Sequence, residues 1–137
     1  MKIRMRRMSF PASLDKLHDM IDFIRQGAQK YGFDEDSIET IHLASEEILV
    51  NIISYAYPST SGDINITYNF NKDEGFRIEL IDKGIPFDPL ALADPDLDAA
   101  LEDRKDSGLG IYLVRKIMDK VEYKRDQGQN VLAFTKY

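Results

Sequence analysis

Ser45-Glu46-Glu47-Ile48-Leu49-Val50-Asn51-Ile52-Ile53-Ser54-Tyr55 is the stretch on which the fold turns. Apolar residues at Ile38, Ile41, Ala44, Ile48 and Ile52 recur at helical spacing through it, which predicts an amphipathic helix. Glu47, Asn51 and Tyr55 lie four apart and form a second stripe, offset from the first. One face of such a helix can pack while the other looks into a cleft. An asparagine oxygen is a hard ligand of the kind Mg²⁺ accepts alongside waters and phosphate oxygens. A carboxylate one turn earlier is placed to take a proton from a hydroxyl or a water. Taken alone, Glu and Asn at this spacing read more simply as a solvated helix face.

Working outward, Asp34 to Ser37 offer caps for this helix, and Pro58 with the Ser59-Thr60-Ser61-Gly62 stretch stops it. Upstream, Lys2 to Phe10 alternate and predict a strand with one basic face, stopped by Pro11. Ser13 can cap a first helix carrying Leu14, Leu17, Met20, Ile21, Ile24 and Ala28, ended by Gly32. Downstream, strands at Asp63 to Asn69 and Phe76 to Ile81 read as a hairpin through Asn71 to Gly75. An irregular, acidic stretch from Gly84 to Ser107 reads as a lid. A short helix at Ile111 to Met118 follows, then a closing hairpin of Lys120 to Arg125 and Val131 to Lys136 around Asp126-Gln127-Gly128. The order predicts an α+β fold, a two-layer sandwich of a mixed or antiparallel sheet with helices on one face, as one domain over residues 1–137.

Two further motifs carry chemistry. Asp82-Lys83-Gly84-Ile85-Pro86-Phe87-Asp88-Pro89 follows a strand ending Glu79-Leu80-Ile81. A carboxylate at a strand end can accept from the exocyclic amine of adenine, and a glycine two residues on lets backbone come close to a flat ring. Asp, Gly and Pro are also ordinary turn residues. In Ser107-Gly108-Leu109-Gly110-Ile111-Tyr112-Leu113-Val114, two glycines open a helix whose amides and dipole attract phosphate. A glycine hinge ahead of an ordinary helix is the plainer reading. A dinucleotide fingerprint fails for want of a third glycine and a leading strand. A Walker A loop fails because no Gly-Lys-Ser/Thr occurs, and the His-Arg-Asp and Asp-Phe-Gly elements of the eukaryotic-type kinases are missing.

Glu-x-x-x-Asn on a helix, Asp-x-Gly after a strand and Gly-x-Gly opening a helix, in this order, resemble the Bergerat ATP-binding fold. The flanks of the three motifs look like the anti-sigma-factor serine kinase branch: Ser45 to Asn51 running into Tyr55-Ala56-Tyr57, the Pro86-Phe87-Asp88-Pro89 run, and Gly108 to Val114. The likeness spans nearly the whole chain. It implies an ATP-dependent serine kinase that phosphorylates a small antagonist protein and sequesters a sigma factor, working in the cytoplasm. By the same resemblance Glu47 is the base, and Asn51 is the Mg²⁺ ligand that holds the metal against the phosphates of ATP. Asp82 reads adenine, while Gly84 and Pro86 shape its pocket. Gly108, Leu109 and Gly110 bind the phosphates where the lid ends, and Arg104 and Lys105 are close enough in sequence to substitute for a phosphate-touching arginine that some relatives carry. The chain departs from the family at Tyr55, where many relatives have His, and at Asp106, where some place Arg. A nucleotide-holding sequestration module with little kinase activity, or an ATPase using water, is therefore an alternative that the sequence leaves open. Relatives are often dimers, and the edge of the Lys2 to Phe10 strand offers such a contact.

Composition bounds these readings. The 137 residues carry a formal charge of −6, which disfavours direct binding of nucleic acid or anionic membrane. There is no cysteine, hence no disulfide and no thiolate metal site. No apolar run approaches the ~20 residues needed to span a bilayer, and no secretory signal is expected. The two histidines, His18 and His42, lack partners at metal-ligand spacing and read as ordinary helix residues.

Overall fold

The computed structural model describes residues 5–91 and 109–137. The elements run β1 (Arg6–Pro11), a 3₁₀ turn (Leu14–Lys16), α1 (Leu17–Lys30), α2 (Glu35–Tyr55), β2 (Asp63–Asn71), β3 (Gly75–Asp82), a second 3₁₀ turn (Pro89–Ala91), α3 (Leu109–Ile117), β4 (Lys120–Asp126) and β5 (Gln129–Lys136). The strands form one sheet in the order β1-β2-β3-β5-β4, and every pairing is antiparallel. Of the two sheet types the sequence allowed, the fold takes the antiparallel one.

Strand periodicity decides which side the helices cover. Ile64, Ile66 and Tyr68 of β2, Phe76, Ile78 and Leu80 of β3, and Leu132 and Phe134 of β5 share one face and are buried. Against them pack Met20, Ile24 and Ala28 of α1 and the stripe Ile38, Ile41, Ala44, Ile48 and Ile52 of α2. Ile111 and Val114 of α3 complete the layer. On the opposite face lie Arg77 and Glu122, joined by a 2.9 Å ion pair.

The cap expected for α2 acts where the sequence placed it, whereas Ser13 caps the 3₁₀ turn and α1 starts only at Leu17, with no side-chain cap of its own. Asp34 caps α2 by accepting from the Ser37 amide at 2.8 Å, and Ser13 accepts from the Asp15 amide ahead of α1. Gly32, at φ +85°, ends the first helix. The closing hairpin turns on Gln127 and Gly128, both in the left-handed region, which matches the twist of its strands. The single basic face expected of the first strand is not kept among the described residues. The Arg6-Arg7 doublet breaks the alternation, so register puts Arg6 and Met8 on the side of Phe10 and Arg7 on the other.

Gly27 illustrates how tightly the layers meet. A Cβ there would lie 2.6–2.9 Å from the Tyr68 ring, which is itself held by Phe23, Tyr31 and Phe76. Glycine to alanine in a helix normally gains stability. Gly27→Ala is expected to lose about 1 kcal/mol instead, because overpacking exceeds the helix gain; a chemical melt reads the sign.

Candidate functional site

The site is assembled by α2, the exit of β3 and the start of β5. Along β3 the inward positions read Phe76, Ile78, Leu80 and then Asp82, so a carboxylate takes the last place in an otherwise apolar row. Asp82 is buried and stands directly opposite Asn130 of β5, which in turn stands opposite Arg125 of β4. Both carboxamide hydrogens of Asn130 are used, donating to Asp82 Oδ1 at 2.9 Å and to the Ile85 carbonyl at 2.8 Å. Its oxygen accepts from the Tyr123 hydroxyl at 2.6 Å, with Arg125 Nη1 at 3.2 Å and the Phe87 amide at 3.4 Å. Asp82 Oδ1 also accepts from the Gly84 amide at 2.9 Å. Among the described residues no donor reaches the second oxygen of Asp82.

Asn130 is the functional residue that motif reading missed. Its signal was present, a carboxamide at an inward position of β5 ahead of Leu132 and Phe134, but its partner emerges only from the strand register. Asn130→Ala leaves Asp82 Oδ1 one donor short and strands the Ile85 carbonyl. Water entering the space limits the expected loss to about 1–2 kcal/mol, read as a lowered denaturation midpoint.

The segment after Asp82 is strapped down at both ends. Arg125 Nη1 donates to the Gly84 carbonyl and Arg115 Nη2 to the Leu90 carbonyl, each at 2.8 Å. The C-terminus of α2 holds it from the other side, with the Ile85 amide donating to the Ala56 carbonyl and the Lys83 amide to the Tyr57 hydroxyl, both at 2.9 Å. A Cβ on Gly84 would overlap the Ala56 carbonyl oxygen. Gly84 thus lets the loop close onto α2, a different close approach from the ring contact the sequence suggested.

Asn51 and Asp82 line the same cavity, together with Ile48, Ile52, Ala56, Phe87, Pro89, Tyr123, Asn130 and Leu132. Pro86 is exposed and does not line it; Phe87 and Pro89 form the cover, with Tyr55 beside Phe87 at 5.6 Å between ring centroids. The cavity holds about 20 Å³, room for one water and less than a purine needs. Asn51 Nδ2 donates to the Glu47 carbonyl at 2.9 Å, which leaves Oδ1 as the atom of this carboxamide that could serve as a ligand. One turn earlier, the half-buried Glu47 side chain lies against Gly110 at the start of α3. Burial pushes its carboxyl above the usual carboxylate range, and the neighbouring Glu46 charge adds to this. Leu109 begins α3, while Arg104, Lys105, Asp106 and Gly108 lie outside the described residues, as does most of the expected lid. Among the described residues no group of three or more His, Cys, Asp or Glu could hold a metal, and no helix is long and apolar enough to cross a membrane.

The pattern of the histidine kinase-like ATPase domain matches residues 10–136. The chain belongs to that family. Within it the chain is similar to the serine-protein kinase RsbW of Bacillus cereus, 34% identical over 116 residues, covering 80% of this chain and 70% of the relative. The RsbW of Halalkalibacterium halodurans is 35% identical, with 80% of this chain and 68% of that one covered. In fold it is similar to the crystal structure of the RsbU and RsbW domains of a Mycobacterium tuberculosis protein, at a TM-score of 0.68 and 15% identity, over 97% of this chain and 32% of that one. The α+β architecture read from the sequence is the architecture of this ATPase family. The donor set suits a nucleotide: a buried carboxylate whose second oxygen meets no donor among the described residues lines the cavity together with an asparagine.

Proposed function

We propose that this histidine kinase-like ATPase domain is an ATP-dependent serine kinase that phosphorylates a small antagonist protein and sequesters a sigma factor in the cytoplasm. The observation that carries the reading is the convergence of Asp82 and Asn51 on one cavity, with Glu47 a single helical turn away. Similarity to the RsbW serine-protein kinases supports the kinase class.

In this reading the free oxygen of Asp82 accepts from the adenine amine, and Asn130 with the Gly84 amide keeps that carboxylate from rotating. Asn51 Oδ1 would be the protein ligand to Mg²⁺, which when bound supplies charge neutralisation along the phosphates. Glu47 takes the proton of the serine hydroxyl as its oxygen bonds to the γ-phosphorus and the bond to the departing ADP breaks. A carboxylate whose pKa is raised by burial is a better base than an exposed one. A homodimer through the β1 edge belongs to the same proposal, and sedimentation of the purified chain tests it.

Incubation with γ-labelled ATP and Mg²⁺, with and without a candidate antagonist protein, tests the reading. Label on the antagonist supports it. Free phosphate alone points to water as the nucleophile. Tight nucleotide binding with neither product favours the sequestration module, which Asp106 speaks for as a like charge to ATP two residues before Gly108 in the sequence.

A further inference from the structure

Gly110 is the second residue of α3, and its backbone does not lie in the left-handed region, unlike that of Gly32, Gly75 and Gly128. Nothing in the chain path therefore demands glycine, and alanine would ordinarily suit a helical position better. What demands it is space. A Cβ on Gly110 would overlap Glu47 Oε2 and would stand 3.3 Å from Glu47 Cδ and 3.6 Å from Glu47 Cβ. Neither helix can retreat to make room, because Ile111 and Val114 of α3 and Ala44 and Ile48 of α2 are buried in the common core. The atom that would have to yield is the tip of the Glu47 side chain, which is free to rotate toward solvent.

We infer that Gly110 is a positioning residue for Glu47: the missing side chain at 110 is the seat of the Glu47 carboxylate. The inference rests on the kinase reading and deepens it by naming what holds the base. It assigns Gly110 a task separate from contact with phosphate.

The test uses the full chain carrying Gly110→Ala and three measurements. Calorimetry with Mg-ADP reads whether Gly110 also touches phosphate, and any loss of affinity is expected to be smaller than the loss of transfer, since Asp82 and Asn51 are untouched. Transfer from labelled ATP is expected to fall roughly 10–100-fold, the scale of a misplaced reacting group. The ¹³C resonance of the Glu47 carboxyl is expected to titrate at lower pH than in wild type, because the displaced carboxylate becomes solvated. An unmoved Glu47 titration overturns the inference, whatever the rate does; with a matching loss of Mg-ADP affinity, it assigns Gly110 to the phosphates. A moved titration in a protein whose wild type transfers no phosphate keeps the inference and removes the kinase reading. Should Gly110→Ala fail to fold, recovery of folding in Glu47→Ala/Gly110→Ala demonstrates the collision directly, and failure of both overturns it.

Discussion

Replacing Glu47 with glutamine is expected to slow phosphoryl transfer by about 10²–10⁴-fold while leaving nucleotide affinity near wild type. The amide keeps the shape of the side chain beside Gly110 and loses almost all of its basicity, so the change isolates proton transfer from packing. Affinity is insulated because the base-reading oxygen belongs to Asp82 and the candidate metal ligand to Asn51, both on the cavity wall. The pH profile supplies a second signature. Glu47 acts only when ionised, and burial raises its pKa, so the wild-type rate is expected to rise through a limb displaced upward from ordinary carboxylate titration. That limb disappears in Glu47→Gln. Melting curves of both proteins are required, since Glu47 sits between the buried Ala44 and Ile48 and the start of α3. A glutamine variant that labels the antagonist at the wild-type rate eliminates Glu47 as the base.

The parts of the molecule legible in the sequence are those governed by local rules. α2 announced itself through the Ile38-to-Ile52 stripe and the Asp34 cap, because a helix's periodicity and end groups are written within a few turns. The two hairpins followed from Asn71, Gly75 and Gly128, whose backbone tasks are local as well. Asp82 was visible because its motif is contiguous. Asn130, Arg125 and Arg115 were not, although together they brace the Asp82-to-Leu90 segment. Their partners lie 25 to 48 residues away and are chosen by strand register and helix docking, which no short window contains. Gly84 and Gly110 were noticed for the right region through a different reason. The expected close approaches were to a base and to phosphate, whereas in the fold Gly84 abuts the Ala56 carbonyl and Gly110 the Glu47 carboxylate. A sequence states that a side chain is missing; only the packed structure states what fills the gap.

Asp82→Asn is expected to weaken ATP binding roughly 10–150-fold, the effect of losing one charge-assisted hydrogen bond. The surrounding network makes the outcome nearly independent of how the new amide settles. Two donors, the Gly84 amide and Asn130 Nδ2, already point at Oδ1. If the asparagine keeps its oxygen there, its NH₂ group occupies the place of Oδ2 and meets the adenine amine donor to donor. If it flips, the NH₂ faces Gly84 and Asn130 and the collision moves into the buried row, at a cost in stability that a melt would detect. The first orientation has a further consequence. Guanine carries a carbonyl acceptor where adenine carries its amine, so an NH₂ group facing the base suits GTP better than the native carboxylate does. Calorimetry with both nucleotides is therefore expected to show ATP affinity falling while GTP affinity holds or improves. Unchanged ATP affinity in a stably folded Asp82→Asn protein would leave Asp82 only the task of tying β3 to β5. The adenine contact would then have to be sought elsewhere on the cavity wall.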